Sequence, residues 1–361
     1  MAEAPSLFLC VDCGGTKTAA SIASKDGTIV GRGIGGPSNY TDVSLEKFVE
    51  SFGEAVIAAY RQAIGAKDAV HLPLPEKALT AALVGVAGID SQEGILTLTG
   101  ALAPLLNLPP TAPHLVVAND TSLIASPLRL HHDISTAVVI IAGTGSIAVA
   151  FGADESGTLR EQGRVGGWGF LLGDEGSGFF LGRETVREIL TRADRATLAG
   201  EPVAPSLLRD RVFAEWEIVN DPYNIFSVIY GPEPDPAGPK PAKKILEKER
   251  KHRMASLAPH VFECAFKHDD ELAWTVIRRS ASIHAAQIAS TLKTRNATDA
   301  PKHAVVAADS ILCMGGTLVS KEPYQKVLME ELAKLGHVFR YMKYVDNVTD
   351  LGAAGIASST P

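Results

Sequence analysis

Apolar runs and helix-like periodic stretches alternate along the first part of the chain. Three apolar runs joined by short polar turns predict a strand and hairpin meander over residues 7–11, 19–23 and 28–33. Apolar residues then recur every three or four positions, which predicts a helix over residues 44–64. The same reasoning predicts two further strands, each followed by a helix, over residues 81–87, 95–106, 114–118 and 121–130. This alternation indicates a mixed α/β architecture.

The same plan restarts near residue 136. The stretch "TAVVIIAGTGSIAVAFG" is a second buried strand, a Gly/Thr/Ser turn and another strand, and "GTLREQGRVGGWG" supplies a third strand and a loop. Helices near residues 176–193 and 272–292 and a strand over 310–314 follow. We therefore expect two lobes of similar plan that face each other. The proline-rich residues 231–244 cannot continue a helix and are predicted to form a surface insertion.

Length and composition restrict the class of partner. A chain of 361 residues exceeds the size of one ordinary core, which favours two domains with a cleft between them. The formal charge of −7 argues against nucleic acid and anionic membranes as partners, and favours a small molecule. Neither a signal peptide nor an 18-residue apolar run is visible, so a cytoplasmic protein without a membrane partner is expected.

The cysteines suggest no disulfide framework. Four cysteines without regular spacing are typical of a reducing compartment. Cys10 and Cys13 form a CxxC pattern, but a strand that runs into a turn lacks the helix start that activates such thiols. A redox function is therefore disfavoured.

Two glycine-containing turns occupy equivalent places in the two halves. In "CVDCGGTKT" (residues 10–18), Asp12 follows the apolar strand and leads into a Gly-Gly-Thr turn, and "AGTGS" (142–146) occupies the corresponding place after the strand of the second half. Backbone N–H groups in such turns form a concave nest for phosphate, to which the hydroxyls of Thr16 and Thr18 can add donors. Each turn alone is more typical of an ordinary hairpin. The pair predicts a polyphosphate held between two hairpins.

Other nucleotide-binding motifs do not account for these turns. No GxxxxGK[ST] sequence occurs, which excludes the P-loop. "GRGIGG" (residues 31–36) matches GxGxxG, but Pro37 follows and the next helix starts too late to offer its N-terminus to a phosphate. A dinucleotide site at this position is therefore disfavoured.

Taken together, three motifs resemble those of the superfamily of sugar kinases, actin and heat-shock-chaperone ATPases. "VDCGGTKT" resembles its first phosphate motif, "AGTGS" its second, and "ILCMGGTLVS" (residues 311–320) its adenosine motif. The resemblance implies two duplicated ribonuclease-H-like lobes around an interlobe cleft that holds ATP. We expect an N-terminal lobe over residues 1–132, a C-terminal lobe over 133–349 and a helix over about 350–361 that packs back on the first lobe.

Three further stretches narrow the resemblance to the eukaryotic-type N-acetylglucosamine kinase family. "GGPSNY", "ANDTS" and "GGWGFLLGDEGSG" resemble, in order, its sugar-contacting loop, its catalytic-aspartate strand end and its glycine-tryptophan loop. The resemblance implies transfer of the γ-phosphoryl group of ATP to the 6-hydroxyl of N-acetyl-D-glucosamine, with Mg²⁺ as cofactor and a homodimeric protein.

Two aspartates are expected to carry the chemistry. Asp120 follows an apolar strand, so its carboxylate emerges where clefts open in α/β sheets, and it is predicted to accept the hydroxyl proton. Capping of the next helix is the alternative role, since aspartate is common before helices. Asp12 is predicted to hold Mg²⁺ through water, the alternative being a structural aspartate in the turn.

The remaining predicted site residues contact sugar or ATP. The sugar-binding residues are expected to be Asn39, Asp120, Gly167, Trp168, Gly169 and Asp174. Helix capping is the alternative for Asp174, and core packing is the alternative for Trp168. The ATP-binding residues are expected to be Gly14, Gly15, Thr16, Lys17, Gly143, Thr144, Gly145, Gly315, Gly316 and Ser320.

Two other functions remain open at this stage. A related ATPase that activates CoA-ester dehydratases or reductases would hold an iron–sulfur cluster through cysteines, but Cys264 and Cys313 fall in a predicted helix and a buried strand. A non-catalytic regulator that binds sugar or ATP would be marked by loss of the catalytic carboxylate, whereas Asp120 is present. The kinase interpretation is therefore preferred, with the choice among amino sugars and hexoses left open.

Overall fold

Two five-stranded sheets, each packed against helices, form the two halves of the protein. The structure is a computed structural model, and it describes residues 6–154, 158–219, 221–235, 237–298 and 300–359. None of the helices formed by these residues combines the length and the apolar character needed to cross a lipid bilayer.

The first sheet has the strand order β3-β2-β1-β4-β5. Its strands and the helices of this half are β1 (Leu7–Cys13), β2 (Thr18–Ser24), β3 (Ile29–Gly35), α1 (Leu45–Ile64), β4 (Ala81–Val86), α2 (Gln92–Leu106), β5 (Leu115–Asn119) and α3 (Thr121–Ile124). Strands β1, β2 and β3 form an antiparallel meander, while β4 and β5 run parallel to β1. The predicted meander and the α/β alternation are confirmed.

The helix predicted over residues 121–130 is shorter than expected. The α-helix α3 ends at Ile124, and a 3₁₀ turn over Ser126–Leu130 continues the chain. Pro127 explains the change, because it lacks an N–H donor and disfavours the α conformation of the preceding residue.

The second sheet has the order β12-β11-β6-β7-β8. The elements of this half are β6 (Thr136–Ala142), β7 (Ser146–Ala153), β8 (Leu159–Gly166), α4 (Gly169–Leu172), α5 (Gly178–Ala199), α6 (Leu207–Glu215), α7 (Phe226–Ile229), α8 (Arg250–Ala255), α9 (Ala258–His268), α10 (Glu271–Ala289), β9 (Leu292–Lys293), β10 (Val305–Val306), β11 (Ser310–Gly315), α11 (Glu322–Lys334), β12 (Tyr341–Tyr344) and α12 (Val348–Ser359). Strands β9 and β10 form a separate parallel pair.

The two large sheets repeat one topology. Strands β6, β7 and β8 form an antiparallel meander, and β11 and β12 run parallel to β6, as β4 and β5 do to β1. Duplication of the two lobes is therefore confirmed. Because of it, the turn after β1 corresponds to the turn after β6, and the end of β4 corresponds to the end of β11.

Helix α12 crosses from the second half and packs against β1 and β2 of the first. Its Ala353, Ile356 and Ala357 share a buried apolar cluster with Phe8 and Cys10 of β1. Polar contacts tie the start of the helix to the same sheet: the Ser21 hydroxyl donates to Asp350 at 2.6 Å, and Arg32 pairs with Asp350 at 2.7 Å. The end of the described chain thus covers one face of the first sheet.

A buried arginine forms hydrogen bonds with the start of the proline-rich segment. Arg253 is 1% exposed, and its guanidinium donates to the carbonyls of Val228, Gly231, Pro232 and Lys248. The described residues of 231–244 are mostly exposed, in agreement with a surface insertion. The lobe boundaries stay predictions. Residues 1–5, 155–157, 220, 236, 299, 360 and 361 of the predicted units lie outside the described part of the chain.

Candidate active site

The turn between β1 and β2 presents the first predicted phosphate nest. The N–H of Gly14 donates to the carbonyl of Lys17 at 3.1 Å, and Gly15, Thr16 and Lys17 are exposed. Neither Gly14 nor Gly15 has a left-handed φ, so backbone strain does not account for these glycines. A Cβ at Gly15 would meet only Asn39, at 4.0 Å, which leaves the turn open to a close approach by a ligand.

Thr18 does not add a donor to this nest. Its side chain is buried, and its hydroxyl donates to the carbonyl of Gly36 at 2.7 Å. The hydroxyl of Ser38 lies at 2.6 Å. The sequence-based expectation for Thr18 is wrong, because its hydroxyl instead binds the segment between β3 and Asn39.

The turn between β6 and β7 presents the second nest and rests on the start of α5. The carbonyls of Gly143 and Thr144 accept from the N–H groups of Gly178 and Phe179 at 2.7 and 3.3 Å. The N-terminus of the 22-residue helix α5 thereby lies directly beneath the turn. Aligned peptide dipoles make this end of a helix electropositive, which favours nearby anions.

Asp174 contacts the second nest. Its carboxylate accepts from the N–H of Ser146 at 3.1 Å, and the residue is 5% exposed with a φ of +55°. A Cβ at Gly145 would lie 2.6 Å from this carboxylate, so any larger residue there would force the carboxylate to move. The capping alternative for Asp174 is wrong, because Ser177 is the residue that caps α5.

Asp12 and Asp120 bring two carboxyl groups into one partly buried region. Burial, followed by the charge of Asp120, raises the pKa of Asp12 from 3.8 to about 6, against a smaller lowering by Lys17. Burial also raises the pKa of Asp120, against a smaller lowering by a hydrogen bond from the N–H of Thr121 and with a further small rise from the charge of Asp90. No side-chain hydrogen bond from Asp120 caps α3, so the structure does not support the capping alternative.

The raised pKa of Asp12 predicts a pH-dependent stability. Between about pH 4 and 6 the folded protein binds more protons than the unfolded chain, so the free energy of unfolding decreases as pH rises through this window. Asp12→Asn is expected to be about 2 kcal/mol more stable than the unchanged protein at pH 7 in the absence of nucleotide, and to lose this advantage below pH 4. Urea unfolding at several pH values measures the difference, and parallel stability profiles would contradict it.

Asn39 lies between the first nest and the end of β4. Its side-chain oxygen accepts from the N–H and hydroxyl of Thr41, at 3.0 and 2.9 Å. A Cβ at Gly88, which has a φ of +77°, would come within 2.3 Å of that oxygen. The structure thus brings a predicted sugar ligand beside the predicted ATP ligand Gly15.

The glycine-tryptophan loop is solvent-facing. Gly167 and Gly169 both have a φ of +75°, and Trp168 between them is 67% exposed. The alternative that Trp168 fills the core is therefore wrong. Leu171 and Leu172 of the following helix α4 are about four-fifths exposed, at 82% and 80%.

A cavity of about 660 Å³ opens beside the second nest. Gly143 and Thr144 line one wall, and Thr317 and Leu318 of the adenosine motif line another. The walls contributed by the helices were not predicted: they include Ala255, Ala258, Pro259, Phe262, Phe266 and Pro323. Apolar residues at helical spacing are equally typical of a core, so the sequence carried no signal for them.

The adenosine motif is only partly in contact with this cavity. Gly316 has a φ of +92°, and a Cβ there would lie 2.5 Å from the carbonyl of Ala142. Gly315 instead faces the other half, where a Cβ would lie 2.6 Å from Ile124. The hydroxyl of Ser320 donates within its own turn, to the carbonyl of Thr317 at 2.7 Å.

The donor set suits magnesium but not an iron–sulfur cluster. Among the described residues, no cluster of three or more His, Cys, Asp or Glu side chains could hold a metal ion. Mg²⁺ usually takes one or two carboxylates and completes its shell with water and substrate phosphates, so Asp12 beside the first nest fits this chemistry. All four cysteines are buried and unpaired, including Cys264 in α9 and Cys313 in β11.

Comparison with known proteins identifies the family to which the chain belongs. Residues 9–341 match the BadF/BadG/BcrA/BcrD ATPase family. An N-acetyl-D-glucosamine kinase of Dictyostelium discoideum is 28% identical over 192 residues, which is 52% of this chain and 56% of that protein. An N-acetylmuramic acid/N-acetylglucosamine kinase of Clostridium acetobutylicum is 26% identical over 186 residues, 51% of this chain and 54% of that protein. The chain thus spans about half the length of the curated relatives it matches.

A solved structure has a similar fold over nearly the whole chain. A protein of Porphyromonas gingivalis proposed to be an N-acetylglucosamine kinase superposes with a TM-score of 0.56 and 20% identity. The match covers 98% of this chain and 99% of that protein.

Proposed function

The chain belongs to the BadF/BadG/BcrA/BcrD ATPase family, and on that basis we propose that it is an ATP-dependent kinase that phosphorylates the 6-hydroxyl of N-acetyl-D-glucosamine. The observation that carries the proposal is the position of Asp12 and Asp120 at neighbouring strand ends beside the first glycine turn: Asp12 pairs with Gly85 of β4, and the N–H of Asp120 donates to the carbonyl of Val86 at 3.3 Å. The names of the two curated relatives support an amino sugar as acceptor.

Asp120 is proposed as the catalytic base. Phosphoryl transfer needs little covalent chemistry from a protein beyond alignment of the oxygens and acceptance of the hydroxyl proton. The 6-hydroxyl oxygen bonds to the γ-phosphorus as the bond to the β–γ bridging oxygen breaks, ADP leaves, and Asp120 accepts the proton. Its raised pKa brings the carboxyl closer to neutral pH, which suits a group that exchanges a proton during turnover.

The nucleotide is proposed to bind across both nests. The 660 Å³ cavity receives the adenosine between the adenosine motif and helix α9. The triphosphate extends to the turn at residues 143–145, above the start of α5, and to residues 14–17 of the first turn. We assign Mg²⁺ to Asp12 through water; bound there, the ion would neutralise charge on the β- and γ-phosphates.

The sugar is proposed to lie between Asn39 and the glycine-tryptophan loop. Trp168 is 67% exposed, which leaves its ring available to pack on a sugar face. One oxygen of Asp174 is engaged by Ser146, and the other lies 3.6 Å from Lys251. That second oxygen is proposed to accept a sugar hydroxyl, with Gly167 and Gly169 shaping the loop. In the proposal the enzyme acts as a cytoplasmic homodimer.

A coupled assay with a panel of sugars tests the proposed function. The purified protein with Mg²⁺ and ATP is expected to form ADP only when sugar is present, fastest with N-acetylglucosamine among N-acetylglucosamine, N-acetylmannosamine, glucosamine and glucose. Phosphorus NMR is expected to locate the new ester at the 6-oxygen. ATP hydrolysis that no sugar accelerates, together with iron in the purified protein, would instead favour a dehydratase-activating ATPase.

Gly145→Ala tests the proposed role of the second nest. The added Cβ would lie 2.6 Å from the Asp174 carboxylate and must displace it from the nest. A displacement of this size is expected to lower kcat/KM by roughly 10- to 100-fold. Gly163→Ala is the matched control, because a Cβ at Gly163 meets no atom within 4 Å. Equal activity of the two variants in the coupled assay would refute the assignment.

A further inference from the structure

Three fully buried polar side chains extend from the nucleotide cavity toward the segment that carries Asp174. Tyr324 of α11 and Ser280 and His284 of α10 are each 0% exposed. The Tyr324 ring packs against Phe262 with ring centroids 5.5 Å apart, and Phe262 lines the cavity. The hydroxyl of Tyr324 lies 2.7 Å from the Ser280 oxygen and 2.8 Å from His284 Nδ1.

The direction of each hydrogen bond among these three side chains follows from the number of protons that each group can donate. The Ser280 hydroxyl donates its single proton to the carbonyl of Gly176 at 2.7 Å, so it must accept from Tyr324. Tyr324 has then used its own proton and must accept from His284, which therefore carries its proton on Nδ1. The order is His284 to Tyr324 to Ser280 to Gly176.

The series of hydrogen bonds ends at the carbonyl of Gly176, which lies in the loop before α5. Its φ is +84°, and a Cβ there would lie 2.5 Å from His284 Nε2, so only glycine fits. The preceding residue is held to the second nest, because the Ser146 hydroxyl donates to the carbonyl of Glu175 at 2.6 Å. Residues 173–177 are thus held from two sides, by Ser146 and by the hydrogen-bonded side chains of Ser280, Tyr324 and His284.

We infer that His284, Tyr324 and Ser280 are positioning residues for phosphoryl transfer, which hold residues 173–177 and the Asp174 carboxylate in register with a nucleotide in the cavity. The inference rests on the proposed function for its effect on turnover. Its structural part, coupling of the cavity to residues 173–177, does not depend on the identity of the acceptor. None of the three side chains touches the reacting atoms, so each acts through the Gly176 carbonyl.

The test compares variants that keep shape and change one donor or acceptor. Tyr324→Phe keeps the packing on Phe262 and removes the hydroxyl. His284→Asn places an amide N–H near the position of Nδ1, whereas His284→Leu has the same branching and no donor. Tyr324→Phe and His284→Leu are expected to lower kcat about 10-fold with little change in the Kd for ADP, and His284→Asn is expected to retain most of kcat.

Hydrogen exchange provides a second measurement that does not need turnover. ADP is expected to slow amide exchange across residues 173–178 in the unchanged protein and in His284→Asn, but much less in Tyr324→Phe and His284→Leu. Variants that melt at lower temperature yet keep kcat and the ADP-dependent protection would show a purely structural role and overturn the inference. If the unchanged protein phosphorylates no sugar, the proposed function fails, while the exchange data still decide whether the cavity and residues 173–177 are coupled.

Discussion

Asp120→Asn is expected to lower kcat by about 10²- to 10⁴-fold, the usual effect of removing a general base. Asparagine keeps the shape of the side chain and accepts a hydrogen bond from the sugar hydroxyl, but it cannot take up the proton. The loss corresponds to about 3 to 5 kcal/mol of barrier height. The affinity for ATP is expected to change little, because the nucleotide is proposed to bind at the two glycine turns and the 660 Å³ cavity.

The stability of the same variant separates catalysis from a structural role. Asp120 does not cap α3, and burial disfavours its charged form, so an uncharged amide is expected to leave the melting temperature unchanged or higher. Asp68→Asn, which changes an exposed carboxylate between α1 and β4, is the control for the substitution itself. Near-normal turnover from a well-folded Asp120→Asn protein would remove the catalytic assignment.

Arg253→Met is expected to lower the free energy of unfolding by about 3 to 5 kcal/mol, the largest stability effect expected here. Methionine fills much of the space of the arginine stem but donates no hydrogen bond. The carbonyls of Val228 and Gly231, which accept from Arg253 at 3.1 and 3.2 Å, would lose these donors in a buried setting. Because α8 also carries Ala255 into the cavity wall, the affinity for ADP is expected to fall as well.

Arg250→Met is the matched control for this prediction. Arg250 donates to the carbonyls of Ile229 and Gly231, but its side chain is 44% exposed, so water can replace its donors. Its loss is expected to cost at most about 1 kcal/mol. Urea unfolding of both variants measures the contrast, and equal losses would mean that burial does not set the contribution of Arg253.

The fold could be predicted because its signals are local. Each strand of the first meander is an apolar run bounded by a turn, and β1, predicted to end at Val11, ends at Cys13. The sequence predicts that α5 begins near residue 176, and the helix begins at Gly178 after its cap Ser177. Errors of one or two residues arise because a helix end is defined by its capping hydrogen bond. The spacing of apolar residues gives no information about that bond.

The site was harder to predict because its contacts are distant in sequence. A carboxylate two residues before a glycine-serine pair is typical of helix capping, yet the Asp174 side chain bonds the N–H of Ser146, 28 residues earlier. The same limit applies to Phe262 and Tyr324, whose spacing in α9 and α11 does not distinguish a cavity wall from a core. Only the packing of two helices from different parts of the chain brings these two rings together.

The crossing of α12 onto the first sheet has a consequence for biosynthesis. Ser21 and Thr349, whose hydroxyls lie 2.8 Å apart, are separated by 328 residues, so a ribosome translating about 5 to 20 residues per second takes on the order of tens of seconds between them. During that interval the face of β1 that carries Phe8 and Cys10 lacks its covering helix. The first lobe therefore completes its folding only after α12 has been synthesised and has left the exit tunnel. Until then, this uncovered apolar face is the expected binding site for chaperones that act on nascent chains.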